Sequence, residues 1–301
     1  MIHGILNVYK EKGYTSHDVV ARLRRITGQK KIGHTGTLDP DAEGVLPVCL
    51  GKATKVCDLL ADKDKTYQAI LLLGRTTDTQ DTSGETLTES PVECSIKEIY
   101  EAIQSFRGPY DQVPPMYSAL KVNGKKLYEL AREGKTVERK ARRVEIEEIK
   151  IHQILLPRVS MTVTCSKGTY IRTLCHDVGQ KLGCGGCMEE LLRTRVGRFP
   201  LEDSLKLAEI EILMGLGQLQ EHLIAVDSLF SEYPAVTVKE EFQKLLDNGN
   251  SFYTRQTAKK KELPESGYVR VYDSHGNFYA VYDYAKKENR FKPVKIFYAK
   301  E

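Results

Sequence analysis

Apolar and polar residues follow two periods over the first 230 residues of the chain. In "KTYQAILLLG" every second residue from Tyr67 to Leu73 is apolar or aromatic, which predicts a strand. In "TSHDVVARLRRITG" apolar residues recur every three or four positions, which predicts a helix with Thr15 or Ser16 as N-cap and Gly28 at its end. The same patterns predict strands at 3–9, 142–155 and 158–166 and helices at 95–108 and 171–183.

Two segments show neither period. "GRTTDTQDTSGE", residues 74–85, is rich in Thr, Asp and Gly, which cap their own backbone, and is predicted to be a loop. The prolines within residues 109–134 predict an extended, exposed segment.

The pattern changes at "LFSEYPAVT", residues 229–237. One more helix is predicted in "KEEFQKLLDNG", followed by short strands in "SGYVRVYD", "NFYAVYDYA" and "FKPVKIFYA". Gly276 lies in the turn of an apparent hairpin. We therefore predict one large domain over 1–230 and a small β-rich domain over 234–301.

The composition is that of a globular protein, with 41% hydrophobic and 29% charged residues in a chain of 301. No apolar run approaches the ~18 residues that a membrane-spanning helix needs. The start of the chain has no basic segment followed by an apolar one, so no export signal is expected. We predict a cytoplasmic protein.

The seven cysteines are an odd number in a chain without a predicted export signal, which favours reduced thiols. "GCGGC" has the C-x-x-C spacing of a zinc site, with Cys175 and His176 nearby. A second closely spaced ligand pair is missing from the sequence, so buried or loop thiols are the favoured interpretation and no metal is expected.

Positive charge is concentrated between residues 121 and 143. Nine Lys and Arg residues stand there against three Glu, a balance of +6, whereas the whole chain carries +4. Such a segment is either a solvated surface or an arm that contacts phosphates, and composition alone leaves both open.

The stretch "GHTGTLDPDAEGVLPVCLGKATK", residues 33–55, carries the strongest candidate for chemistry. It departs from a calcium loop because Leu50 occupies the position of the bidentate Glu. It departs from a phosphate-binding loop in its glycine spacing and in lacking Ser or Thr directly after Lys52. The simplest structural interpretation is that Asp39 caps a turn that begins with Pro40.

This stretch resembles the catalytic motif of the TruB family of tRNA pseudouridine synthases. Five further blocks resemble that family in the same order: "TSHDVVARLRR", "KTYQAILLLGRTTDTQDTSGE", "QVPPMYSALKVNGKKLYELAREG", "CSKGTYIRTLCHDVGQKLG" and "LLRTRVGRF". One departure is visible in "YKEKGYTS", where Glu11 replaces the family's proline while Lys10 and Gly13 are kept.

The resemblance implies a mixed α/β fold with a curved, largely antiparallel sheet, a basic RNA-binding insert at about 110–143 and a PUA-like C-terminal domain. It implies a monomeric enzyme that isomerises uridine 55 in the T-arm of tRNA to pseudouridine. The reaction breaks the N1–C1′ bond and rejoins the uracil through C5, so neither cofactor nor metal is expected.

The resemblance also assigns catalytic residues. Asp39 matches the catalytic carboxylate, acting as nucleophile at C1′ or as base at C2′, and the sequence leaves both routes open. Arg172 matches the family's ion-pairing arginine. In the first turn of a helix a cation is disfavoured by ~0.3–1 kcal/mol, which itself suggests an acidic partner. Tyr67 matches the tyrosine that stacks on the target base.

Four further positions are expected to bind the substrate. His34 matches the residue that fills the gap left by the flipped base or stacks on a displaced nucleotide. Tyr170 and Leu191 match positions that line the uracil pocket, and Lys10 belongs to the family's N-terminal motif. Core packing explains Tyr170 and Leu191 equally well without a substrate.

Two alternative functions stay open. One is a dyskerin-like synthase that takes its target from a guide RNA, and the other is a tRNA-binding folding factor without catalysis. The presence of Asp39, Tyr67 and Arg172 together favours an active enzyme.

Overall fold

The computed structural model describes residues 1–122, 124–258, 263 and 265–298. In chain order the strands up to residue 200 are β1 (Gly4–Lys10), β2 (Ile32–His34), β3 (Glu43–Leu50), β4 (Lys65–Leu73), β5 (Arg75–Thr77), β6 (Thr86–Glu89), β7 (Gly108–Gln112), β8 (Lys121–Val122), β9 (Lys125–Lys126), β10 (Arg142–Leu155), β11 (Arg158–Cys165), β12 (Gly186–Val196) and β13 (Phe199–Pro200). The helices before residue 230 are α1 (Ser16–Thr27), α2 (Cys57–Ala61), α3 (Ile96–Gln104), α4 (Leu127–Arg132), α5 (Ile171–Leu182) and α6 (Leu207–Gly215).

The central feature is a sheet with the strand order β1-β3-β12-β4-β11-β10-β7, with β2 added to β3 and β13 added to β12. Neighbours along this order pair antiparallel except β3 and β12, which run parallel over only two residue pairs. Buried side chains of β4, β10 and β11 pack against α3 and α5. The predicted mixed α/β fold with a largely antiparallel sheet is confirmed.

Helix α1 shows how the local sequence sets an element. The Thr15 hydroxyl accepts a hydrogen bond from the Asp18 amide at 3.0 Å, and the Asp18 carboxylate accepts one from the Thr15 amide at 2.8 Å. Gly28 ends the helix in the left-handed conformation, with φ of 64°. Val19, Val20 and Leu23 are buried against β1 and β3, as the pattern predicted.

Three elements differ from the sequence prediction. Residues 75–77 pair with 86–89 as the β5–β6 hairpin, so only the tip of the predicted 74–85 loop is irregular. The predicted helix at 239–249 is a 3₁₀ turn, Glu240–Phe242, followed by one short α-helix. Both ends of the predicted 110–143 insert are strand residues, because Gln112 of β7 pairs with Arg142 of β10.

We call residues 113–141 the insert, since these are the residues that leave the large sheet between β7 and β10. It contains the small β8–β9 hairpin and α4, and then runs without regular structure to β10. Arg139 closes its base by donating from Nη1 to the Pro114 carbonyl at 3.0 Å.

The C-terminal region forms a second sheet. Its elements are β14 (Ala235–Thr237), α7 (Gln243–Asp247), β15 (Phe252–Tyr253), β16 (Ser266–Tyr272), β17 (Phe278–Ala285) and β18 (Arg290–Ile296), and its strand order is β14-β16-β17-β18-β15. The predicted hairpin turn at Gly276 joins β16 and β17. Phe230, Phe278 and Phe297 pack together and place this sheet against Ile5 and Val45 of the large one.

Close backbone contact requires glycine where β3 meets β12. Gly44 has φ of 105°, and a Cβ atom there would lie 2.2 Å from the main-chain oxygen of Arg193. A side chain would therefore force the two strands apart.

We expect Gly44→Ala to lower the free energy of unfolding by more than about 2 kcal/mol, because it combines an unfavourable φ with a main-chain overlap. Urea denaturation followed by circular dichroism measures the loss. Gly134→Ala is the matched control, since Gly134 also has positive φ but open space around its Cβ position, and it should cost about 1 kcal/mol. Equal losses for the two variants would contradict the predicted overlap.

Candidate active site

Asp39 lies on the loop between β2 and β3, and main-chain contacts fix that loop on both sides. The Leu38 amide donates to the Ser16 hydroxyl of α1 at 2.9 Å, and the Leu38 side chain is buried. The Pro40 carbonyl accepts from the Gly13 amide at 2.9 Å and from Lys10 Nζ at 3.0 Å. Asp39 therefore stands between two anchored neighbours.

Arg172, in the first turn of α5, binds Asp39 through two parallel contacts. Its Nε lies 3.0 Å from Asp39 Oδ2, and its Nη2 donates to Oδ1 at 3.2 Å. This bidentate geometry is the strong form of an arginine–carboxylate pair. Arg172 is buried, whereas 38% of the Asp39 side chain is exposed, so the carboxylate is held from behind and open in front.

The remaining donors of Arg172 join other segments to the site. Nη1 donates to the Thr79 carbonyl at 3.0 Å and lies 3.5 Å from Asp81 Oδ2, and Nη2 also donates to the Tyr117 carbonyl at 2.8 Å. Three of the Arg172 contacts are hydrogen bonds, to Thr79, Asp39 and Tyr117. The guanidinium links the Asp39 loop, the β5–β6 hairpin and the insert.

Opposing influences act on the Asp39 carboxyl. Burial raises its pKa, and the negative charge of Asp81 raises it further, while Arg172 and then Lys10 lower it. Burial is the largest of these influences, so the pKa of Asp39 is raised overall, and the two cations limit that rise.

Asp81 is the acidic group that the sequence analysis missed. Its Oδ1 accepts hydrogen bonds from Thr79 Oγ1 at 2.7 Å and from the Ser83 amide at 3.0 Å, while Oδ2 faces Arg172. The run "TTDTQDT" holds two aspartates in a segment predicted to be a loop, so the pattern alone gives no reason to choose Asp81 over Asp78.

The loop that carries the carboxylate packs through Leu38 on an apolar cluster. Tyr67 of β4 belongs to the same buried cluster as Leu38, and Leu191 of β12 packs against that cluster. Burial raises the pKa of Tyr67, so its phenol is neutral. Tyr170 is the N-cap of α5, and its amide and carbonyl pair with the side-chain amide of Gln112 at 2.8 and 3.0 Å. Burial raises the pKa of the Tyr170 hydroxyl; the positive charge of Arg172 lowers that pKa and the negative charge of Asp39 raises it.

Lys10 and His34 lie at the two flanks of the Asp39 loop. Lys10 has no exposed surface, its amine donates to the carbonyls of Glu11 and Pro40, and burial lowers its pKa to about 8. This placement gives Lys10 a role in holding the loop that the sequence did not predict. His34 is half-buried, accepts from the Gly36 amide at 3.3 Å, and burial lowers its pKa. Contact of either residue with substrate stays a prediction.

Cys175, Cys184 and Cys187 are all buried. Within the described residues, no group of three or more His, Cys, Asp or Glu side chains is arranged to hold a metal ion. None of the described helices combines the length and apolarity needed to cross a bilayer.

Comparison with known proteins gives this site its context. Residues 24–171 match the model of the TruB family pseudouridylate synthase N-terminal domain, and residues 172–231 match that of the tRNA pseudouridylate synthase B C-terminal domain. The chain belongs to the TruB family. A tRNA pseudouridine synthase B of Lachnoclostridium phytofermentans is 52% identical over 98% of this chain and all of that protein. The Clostridium acetobutylicum protein of the same name is 45% identical over 97% of this chain and 99% of its own length.

Solved structures share the fold of this TruB family member. The chain superposes with a TM-score of 0.70 and 26% identity on a chain of a Cbf5-Nop10-Gar1 complex, over 99% of this chain and 85% of that one. An H/ACA RNP bound to a substrate RNA containing 2′-deoxyuridine contains a chain that gives a TM-score of 0.69 at 24% identity, over 98% and 85%. Both likenesses extend through the C-terminal sheet, which lies beyond the two matched family models.

We expect opposite shifts of the Asp39 pKa when its two charged neighbours are removed. Arg172→Met deletes the largest favourable charge and should raise the pKa, whereas Asp81→Asn deletes a repulsive charge and should lower it. A ¹³C NMR titration of the Asp39 carboxyl, assigned by comparison with Asp39→Asn, measures both shifts. Arg172→Lys, which keeps the charge, should move the pKa less than Arg172→Met. Shifts of the same sign in Arg172→Met and Asp81→Asn would contradict this electrostatic account.

Proposed function

We propose that this protein converts uridine 55 in the T-arm of tRNA to pseudouridine, acting as a monomer in the cytoplasm. The observation that carries the proposal is the Arg172–Asp39 pair, which holds a partly exposed carboxylate on a loop that packs through Leu38 on the cluster of Tyr67 and Leu191. Membership of a family of pseudouridylate synthases supports the reaction. The T-arm and position 55 rest on the family resemblance of the motifs.

The proposed reaction needs few groups. The N1–C1′ bond of the uridine breaks, the C5–C1′ bond forms, C5 loses its proton and N1 gains one, so the product is an isomer of the substrate. Asp39 acts against the sugar, at C1′ as nucleophile or at C2′ as base. Arg172 keeps the carboxylate ionised and oriented, and Tyr67 offers the flipped uracil a flat neutral face on which to stack.

The insert supplies the proposed contact with the RNA backbone. Lys140 is exposed near the end of the insert, and Arg142 is exposed just beyond it as the first residue of β10. The charge of Arg142 lowers the pKa of Tyr170 at the site. Arg139 and Arg143 are already engaged, by the Pro114 carbonyl and by Asp111 at 2.8 Å respectively. Because these two arginines are engaged, we assign the phosphate contacts to Lys140 and Arg142. Phosphate contacts position the RNA, whereas the active site selects the base.

The guide-dependent alternative rests on the shared fold with the Cbf5-Nop10-Gar1 complex. Identity is 26% there, against 52% and 45% with full-length relatives named tRNA pseudouridine synthase B. The relatives favour a stand-alone enzyme. Activity of the purified protein on bare tRNA separates the two functions.

The first test uses a tRNA transcript with tritium at C5 of uracil. We expect the purified protein to release about one tritium per tRNA from the T-arm uridine, because the new C5–C1′ bond replaces that hydrogen. Asp39→Asn should release none while binding tRNA with unchanged affinity. Asp41→Asn is the matched control, since Asp41 is an exposed carboxylate two residues away, and it should stay active.

Release by Asp39→Asn would refute the assigned carboxylate. Tight binding without release by the unaltered protein would refute the stand-alone enzyme and leave the guide-dependent synthase or the folding factor.

Charge reversal tests the insert. Lys140→Glu and Arg142→Glu should each weaken tRNA binding, and each should reduce the slope of log affinity against log salt by about one, because one phosphate is no longer neutralised. Filter binding across a salt series measures both effects. Lys97→Glu on α3 is the control for a single reversed charge at an exposed site. It should change tRNA affinity and the salt slope much less than the two test variants do. An unchanged salt slope in both Lys140→Glu and Arg142→Glu would show that this end of the insert is only a solvated surface.

A further inference from the structure

A second buried arginine lies behind the Asp39 loop. Arg193 of β12 is 1% exposed and donates from Nε to the Val45 carbonyl at 2.7 Å. Its two terminal nitrogens reach successive carbonyls of the loop, with Nη1 to Thr37 at 3.4 Å and Nη2 to Gly36 at 3.4 Å. These two residues directly precede Leu38 and Asp39 in the chain.

The environment of Arg193 is unusual for a charge. Among the residues that the structure describes, no carboxylate lies within 4.0 Å of it, and its hydrogen-bond acceptors are main-chain carbonyls. Removing a cation from water without an opposite charge is costly, and an apolar side chain would fill this space at lower cost. The position therefore calls for an explanation other than core packing.

The shape of the guanidinium group explains why an arginine occupies this buried position. Its planar fork directs two donors towards neighbouring acceptors in a fixed geometry, which the single ammonium of lysine cannot reproduce. Here the fork spans the carbonyls of Gly36 and Thr37 and so fixes the peptide between them. Gly36 has φ of 156°, and a Cβ atom there would lie 3.9 Å from Arg193 Nη1, so the main chain of the loop passes close to the guanidinium.

Arg193 also lies beside Tyr67. The two residues are directly opposite each other on β12 and β4, and opposite residues on neighbouring strands project from the same face of the sheet. The charge of Arg193 opposes the rise of the Tyr67 pKa that burial causes. One side chain thus contacts the segment that carries Asp39 and neighbours the tyrosine assigned to the target base.

We propose that Arg193 is a positioning residue, which fixes the main chain at Gly36–Thr37 and thereby sets Asp39 at the correct distance from Tyr67. The inference rests on the proposed function, since it concerns the geometry of that reaction. Because Arg193 is buried, it acts without touching the RNA. Its loss should slow the chemical step and leave tRNA affinity unchanged.

The test uses Arg193→Lys, which keeps the charge without the fork, and Arg193→Gln, which keeps a planar donor group without the charge. Displacement of a catalytic group by about 1 Å can cost about 100-fold in rate, so we expect single-turnover tritium release to fall by roughly 10- to 100-fold in both variants. The tRNA dissociation constant should stay within about twofold of the original. Hydrogen exchange at the amides of residues 35–39 should accelerate, while the amides of β4 stay protected.

Arg195→Lys is the matched control. Arg195 lies on the same strand but, unlike Arg193, it is ion-paired, to Asp64 at 2.6 Å, and its contacts do not include the Asp39 loop. It should keep the original rate. Thermal unfolding of each variant separates a slow folded enzyme from a partly unfolded one, and if Arg193→Gln does not fold, Arg193→Lys decides by the same criteria.

Folded Arg193 variants that react within about threefold of the original rate would overturn the proposal. So would a reduced rate explained entirely by weaker tRNA binding. If the unaltered protein releases no tritium, the proposed function fails instead, and the exchange rates at 35–39 still report whether Arg193 fixes the loop.

Discussion

The pair formed by Arg172 and Asp39 is the interaction around which this structure is arranged. A carboxylate in a cleft tends to take up a proton, and a protonated carboxyl can act neither as nucleophile nor as base. The protein counters this by holding a buried arginine against the carboxylate and fixing that arginine with hydrogen bonds to the Thr79 and Tyr117 carbonyls. The arginine itself comes from α5. The oxygens around it come from the loop between β2 and β3 of the large sheet, from the β5–β6 hairpin and from the insert.

A second constraint is the balance of charge beneath the site. Lys10 and Arg193 are as buried as Arg172, yet their contacts are main-chain carbonyls of the Asp39 loop and its surroundings. Carbonyl dipoles satisfy these donors without cancelling their positive charge. The charges of Arg172 and Lys10 lower the pKa of Asp39, but burial is the larger influence and the pKa stays raised.

The sequence predicted what depends on local patterns or on resemblance to a family. Helix α1, strand β4 and the hairpin at Gly276 follow from periodicity and turn residues, and Asp39 was selected because its motif resembles a known one. Asp81 and Arg193 were missed, since each acquires its role from a partner more than 90 residues away in the chain. The β5–β6 hairpin was missed because its strands are short and polar and lack apolar alternation.

The separation of Asp39 from Arg172 along the chain has a consequence for biosynthesis. The two residues are 133 positions apart in the chain. The strands on both sides of the two-residue pairing between β3 and β12 must assemble before Asp39 and Arg172 can meet. At a translation rate of 5 to 20 residues per second, Asp39 is synthesised roughly 7 to 27 s before Arg172. A nascent chain that already carries the complete Asp39 motif therefore still lacks the ion pair, which can form only after more than half of the chain has been synthesised.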